Sequence, residues 1–156
     1  LISFVESPDE RLHALEGFLD ELPDQVTILN VGDPSRVGGV DAETEIEGTS
    51  VTVTSMTNPT DVMRLGMTIS KTLSAWEERE GDIFVCFHSL SELLTLGVDQ
   101  ESIIRFLHIL RGRIKAVDGS AHFHIDPTRH DADLIESLQT VFDETLVFDQ
   151  AGLRGP

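Results

Sequence analysis

The run Ile83-Phe84-Val85-Cys86-Phe87 most constrains how this chain can fold. It is continuously apolar, lies between the breaker Gly81-Asp82 and the polar His88-Ser89, and is too short for a helix. Such a run predicts a strand buried on both faces, the kind found in parallel sheets. Parallel neighbours cannot be joined by a tight hairpin and need a crossover, usually a helix. The flanking sequence supplies both crossovers. Upstream, Asn58-Pro59-Thr60-Asp61 reads as a loop and cap, opening a helix from about Asp61 to Glu80 with Val62, Leu65, Ile69, Leu73 and Trp76 on its buried stripe. Downstream, Ser89–Leu96 reads as a short helix or turn. Gln100–Val117 then places Ile103, Ile104, Leu107, Leu110 and Ile114 on one helical face, with Gly119 suited to its C-terminal end.

The same alternation extends to both sides. Leu1–Val5 is β-prone. Ser7-Pro8-Asp9-Glu10 combines an N-cap, a proline at the first helical position and a capping-box acid, followed by Leu12, Leu15, Phe18, Leu19 and Leu22 on one face and Pro23 as a stop. Val26–Val31 and Val51–Thr54 read as strands, Ala121–Ile125 as another, Arg129–Phe142 as a helix and Thr145–Phe148 as a final strand. The pattern predicts an α/β fold in three layers, a mainly parallel sheet with helices on both faces. No linker divides the chain, so residues 1–156 are expected to form one domain.

Composition narrows the partners. Twenty-eight acids face eleven bases, giving a formal charge of −17, and only Lys71 and Lys115 are lysines, the other bases being arginine. That signature suits a protein working in molar salt, where screening to ~3 Å at 1 M removes self-repulsion. It also lacks the basic footprint that nucleic acids or anionic membranes require, and no apolar run approaches the ~20 residues of a membrane span. With the single Cys86 in an apolar run, no intrachain disulfide can form. An inert core thiol and a cytoplasmic setting are expected. The start at Leu1, without Met or a basic leader segment, suggests a trimmed chain.

Three constellations could carry chemistry. Gly32-Asp33-Pro34-Ser35-Arg36-Val37-Gly38-Gly39 follows a strand, but Val40-Asp41-Ala42-Glu43 stands where a phosphate loop needs Lys and Ser or Thr, and the acids through Glu47 would repel phosphate. An ordinary surface turn is the expectation. The second constellation, His88-Ser89-Leu90-Ser91, ends the Ile83–Phe87 strand. Sites in open parallel sheets gather beyond the carboxyl ends of strands, so His88, Ser89 and Ser91 are candidate cofactor-binding residues. Histidine is nonetheless a poor magnesium ligand. In the third, His122-Phe123-His124-Ile125-Asp126, alternate residues share a face, and His130-Asp131 follows closely. His122, His124, Asp126 and His130 are therefore candidate metal ligands, against the plainer reading of a polar strand end. Glu43, Glu45, Glu47, Glu77, Glu78 and Glu80 read as solvated charge rather than catalytic carboxylates.

The segment Phe84-Val85-Cys86-Phe87-His88-Ser89-Leu90-Ser91-Glu92-Leu93-Leu94 resembles the Asp-Ser-Leu-Ser strand end of RecA/KaiC-like ATPases, and Arg105–Arg113 resembles the helix that follows it. From about Thr54 to Phe148 the chain resembles an uncharacterised haloarchaeal family of RecA/KaiC-like domains. The matching pieces are Asn58-Pro59-Thr60-Asp61-Val62 with Leu65-Gly66, the strand end, His122–Pro127 with His130-Asp131, and Val141-Phe142-Asp143, with Ser7–Gly32 fitting more loosely. The resemblance implies a RecA-like fold whose phosphate-binding strand and loop lie before Leu1. It places His88 where active relatives carry aspartate. Losing that carboxylate removes magnesium positioning and water activation. The expectation is a non-catalytic domain, without a cofactor, acting in regulation or signalling through a protein partner or a second copy of itself. Two alternatives stand beside it: an ATP- and Mg-binding ATPase domain with its phosphate loop upstream, and a metal-dependent hydrolase using His122, His124 and Asp126.

Overall fold

The computed structural model describes residues 1–4, 6–32, 42–46, 48–79, 81–149 and 152–154. Along the chain run β1 (Ile2–Ser3), α1 (Pro8–Phe18), β2 (Gln25–Val31), β3 (Ala42–Ile46), β4 (Thr49–Met56), α2 (Val62–Trp76), β5 (Phe84–His88), α3 (Leu90–Thr95), α4 (Gln100–Ala116) and β6 (Ser120–Phe123). A 3-10 turn (Pro127–Arg129), α5 (Ala132–Gln139), β7 (Val147–Asp149) and β8 (Gly152–Arg154) follow. The helix starts come from the caps. Ser7 Oγ accepts from Glu10 N while the Glu10 carboxylate accepts from Ser7 N, and Asp61 and Asp99 cap α2 and α4 through Arg64 N and Ser102 N.

Six strands form one mixed sheet in the order β3-β4-β2-β1-β5-β6. Every neighbouring pair is parallel except β3 with β4. The chain enters at β1 in the sheet interior, moves outward through β2 and β4, then crosses back to β5 and leaves through β6. This is a doubly wound α/β arrangement, and its direction reverses between β1 and β5.

Side-chain alternation divides the core in two. Val26 and Ile28 of β2 face Leu12 of α1 together with Val51, and Leu15, Ile46 and Val53 pack around them. Leu29 and Val31, on the opposite face, join the larger cluster with Leu65, Ile69 and Leu73 of α2, Ile103, Leu107 and Leu110 of α4, and Leu134 and Leu138 of α5. One face thus carries α1, the other α2 and α4.

Several expectations change. The apolar run of β5 predicts burial on both faces, yet only Val85 and Phe87 are buried, while Phe84 is 52% exposed and Cys86 and His88 are partly buried. On that side α1 reaches β5 at its end, where Arg11 meets His88. The acidic stretch after residue 41 supplies an edge strand, β3, that periodicity missed because it alternates Glu43 and Glu45 with Thr44, all exposed. Among the described residues the expected last strand, Thr145–Phe148, does not extend the sheet, and β7 pairs with β8 alone. Just before β7, Asp143 is held by Arg111 (2.5 Å) and Lys115 (2.8 Å) of α4. The helix expected over Arg129–Phe142 is divided, with Asp126 and Pro127 opening a 3-10 turn before α5 begins.

Candidate functional site

Doubly wound sheets bind ligands outside the carboxyl ends of their strands, at the point where the direction of winding reverses. Here that point lies between β1 and β5, where Ser3 pairs in register with His88 on one side and with Asn30 on the other. Asn30 is in turn paired with Ser55 of β4. A polar row, Ser55–Asn30–Ser3–His88, therefore crosses four strands at one level and on one face. Ser3 and Asn30 are fully buried; Ser3 Oγ donates to the Glu6 carbonyl (3.1 Å), and among the described residues Asn30 Nδ2 has no hydrogen-bond partner.

Helix α1 closes this row. Arg11 is nearly buried, pairs with Glu6 (Nε to Oε2, 2.8 Å) and touches His88 Nδ1. Burial first, then the Arg11 charge and His124, push the His88 pKa down, so its ring stays neutral beside the guanidinium. The same causes act on His124, with burial leading and then His122 and Arg11.

In this topology the turn after the central strand is where a phosphate would sit, on free N–H groups at the next helix's N-terminus. Between Phe4 and Pro8 the sequence offers no glycine. The helix terminus already holds an anion, because Glu10 Oε2 accepts from Ser7 N (2.8 Å) and Ser7 Oγ (2.9 Å). That contact draws the Glu10 pKa down, and Asp9 adds a second acid in the same turn. The residues at this turn do not fit a nucleotide phosphate. Their chemistry repels one. The glycine-containing loop singled out in the sequence, from Asp33 to Gly39, lies outside the described residues, as do Glu47 and Glu80.

The three candidate cofactor residues at the end of β5 are separated by their partners. His88 faces Arg11. Ser89 occupies the α3 N-cap without a side-chain capping bond, and Ser91 is fully buried. Ser91 Oγ accepts from Asp126 N (2.8 Å) and lies 2.9 Å from His130 Nε2, so it pins α3 to the loop after β6. The candidate metal ligands divide likewise. His122 and His124 point to the open face, His122 edge-on to Phe84 (4.7 Å between ring centres) and His124 Nε2 3.7 Å from Cys86 Sγ. Asp126 instead caps the 3-10 turn, accepting from Thr128 N (3.0 Å) and Thr128 Oγ1 (2.7 Å), and these bonds lower its pKa. Among the described residues no group of three or more His, Cys, Asp or Glu side chains is arranged to hold a metal ion. Cys86 is half-buried rather than fully enclosed, and burial pushes its thiol pKa up.

Besides Asn30, two residues escaped the sequence reading. Arg11 looks like a generic helix base, although its place just before Leu12 puts it at the border of the packed face. The other is Phe84, hidden within an apolar run that reads as core.

These features define a doubly wound α/β domain with its central turn closed by its own carboxylate. The chain belongs to DUF7504, a family of unknown function, whose model matches residues 2–148. No curated protein and no solved structure matches it.

Proposed function

We propose that this chain is a non-catalytic RecA/KaiC-like domain that acts in regulation or signalling through protein contacts, including contacts with its own copies. The observation that carries the reading is the capping box at Ser7 and Glu10. It fills a helix N-terminus at the point where the winding reverses, a place where a doubly wound sheet can hold a phosphate. His88 at the end of β5 supports it further, since an imidazole engaged by Arg11 offers no oxygen to magnesium. Sequence resemblance gives the RecA/KaiC-like assignment, and the doubly wound parallel strands are compatible with it. A cell interior of high ionic strength fits the charge of −17.

The test is titration calorimetry with ATP and ADP, with and without Mg²⁺, in molar potassium chloride. No saturable heat is expected. Saturable binding below about 100 μM, a binding energy stronger than about −5.5 kcal/mol, contradicts the reading.

A further inference from the structure

The two edges of the sheet are built differently. At one edge, β3 carries Glu43 and Glu45, exposed charges of the kind that prevent edge-to-edge pairing. At the other, β6 reads Ser120-Ala121-His122-Phe123, with no charge, no proline and no lysine. The ladder to β5 uses Ser120 N, donating to Ile83 O (2.9 Å), and His124 N, donating to Phe87 O (3.1 Å). In a parallel ladder alternate residues bond to alternate sides, so the backbone groups of Ala121 and Phe123 face outward from the sheet. Among the described residues nothing pairs with this edge, and beside it lies the face on which Phe84 is 52% exposed and in edge contact with His122.

We propose that β6 pairs antiparallel with β6 of a second copy of this chain, about a two-fold axis through His122. This deepens the self-association reading above and rests on it. In this register Ala121 meets Phe123 of the second copy, and the exchange makes about four backbone hydrogen bonds. The two His122 residues form a directly opposed pair, with Cα atoms about 4.5 Å apart. Charge selects the occupant. Each copy carries −17, so two copies meet with least residual repulsion along a strand that contributes no carboxylate; β6 is such a strand and β3 is not. The nearest acids, Asp118 and Asp126, flank the strand, so the pairing tightens as salt rises.

The experiment places His122→Cys in a Cys86→Ser background, with Glu45→Cys in the same background as the control edge. Each protein is oxidised in molar potassium chloride and resolved without reductant, and wild type and His122→Glu are compared by light scattering across a concentration series. A disulfide-linked dimer for His122→Cys alone is expected, since directly opposed strand residues lie within disulfide reach. So is a dimer dissociation constant weakened at least about tenfold in His122→Glu, where like charges stand opposite. A wild-type dimer that His122→Glu leaves intact and His122→Cys does not link overturns this surface while leaving self-association standing. Equal linking at both edges also overturns it. A wild type that is monomeric at every concentration and salt overturns both.

Discussion

The β2–β4 half of the sheet and the β5–β6 half are made of similar strands but covered differently. On the first, α1 sets Leu12 against Val26, Ile28 and Val51, while the opposite face meets the helices of the main core. On the second, α4 and α5 cover one face, and Phe84, His122 and His124 remain exposed on the other. Winding explains the asymmetry. The crossover from β1 to β2 carries α1 to one face of the first half, whereas those to β5 and β6 carry α2 and α4 to the opposite face. One half of the sheet is thus packed on both faces, and the other, among the described residues, mainly on one.

The largest test of this contrast lies within β5. Phe87, 0% exposed, packs among Phe4, Phe106 and Phe123, so Phe87→Ala is expected to cost about 3–5 kcal/mol of unfolding free energy. Phe84→Ala, on the other face of the same strand, is expected to stay within about 1 kcal/mol. Urea denaturation in molar salt measures both, and equal losses would mean that Phe84 is covered.

Between the two core clusters the expected difference is smaller. Leu107→Ala empties a site at the centre of the large cluster and is expected to cost about 4 kcal/mol; Leu12→Ala, in the small cluster under a single helix, about 2 kcal/mol. A reversed order would relocate the main support of the sheet. Ser7→Ala, which opens the capping box at the central turn, is expected to cost about 1 kcal/mol by the same assay.

The smallest expected effect is on pH dependence. The His88 and His124 pKa values are lowered by folding, from an ordinary value of 6.5. The unfolded chain therefore takes up protons first as pH falls. Stability is full above 6.5 and declines as pH drops from there through the lower folded-state values. The double variant His88→Gln with His124→Gln should flatten that decline, as followed by urea midpoints between pH 7.5 and 5. An unchanged slope assigns it to other groups.

Much of the fold was legible in local pattern because helix caps and apolar stripes act locally. Ser7, Asp61, Leu65 and Leu107 each perform as their spacing implies. What could not be read depends on partners distant in sequence. The two-sided burial expected for Phe84 required a helix that the winding places elsewhere. Asp126 could have aimed with His122 and His124, but Pro127 turns the backbone and the carboxylate binds Thr128 instead. The candidate site was half visible: His88 and Ser91 were marked, whereas Arg11 and Asn30, which meet that strand end only through tertiary packing, were not. The undefended edge was in plain view, since Ser120–Phe123 lacks charge, but a strand becomes an edge only once the order of the sheet is known.

The most direct measurement of the account is amide hydrogen exchange in molar potassium chloride at two protein concentrations a hundredfold apart. The outward-facing amides of Ala121 and Phe123 are expected to gain protection at the higher concentration, while those of β3 stay unchanged. Exchange at Ala121 and Phe123 that is indifferent to concentration would contradict the claim that the half-covered side of the sheet is where two copies meet.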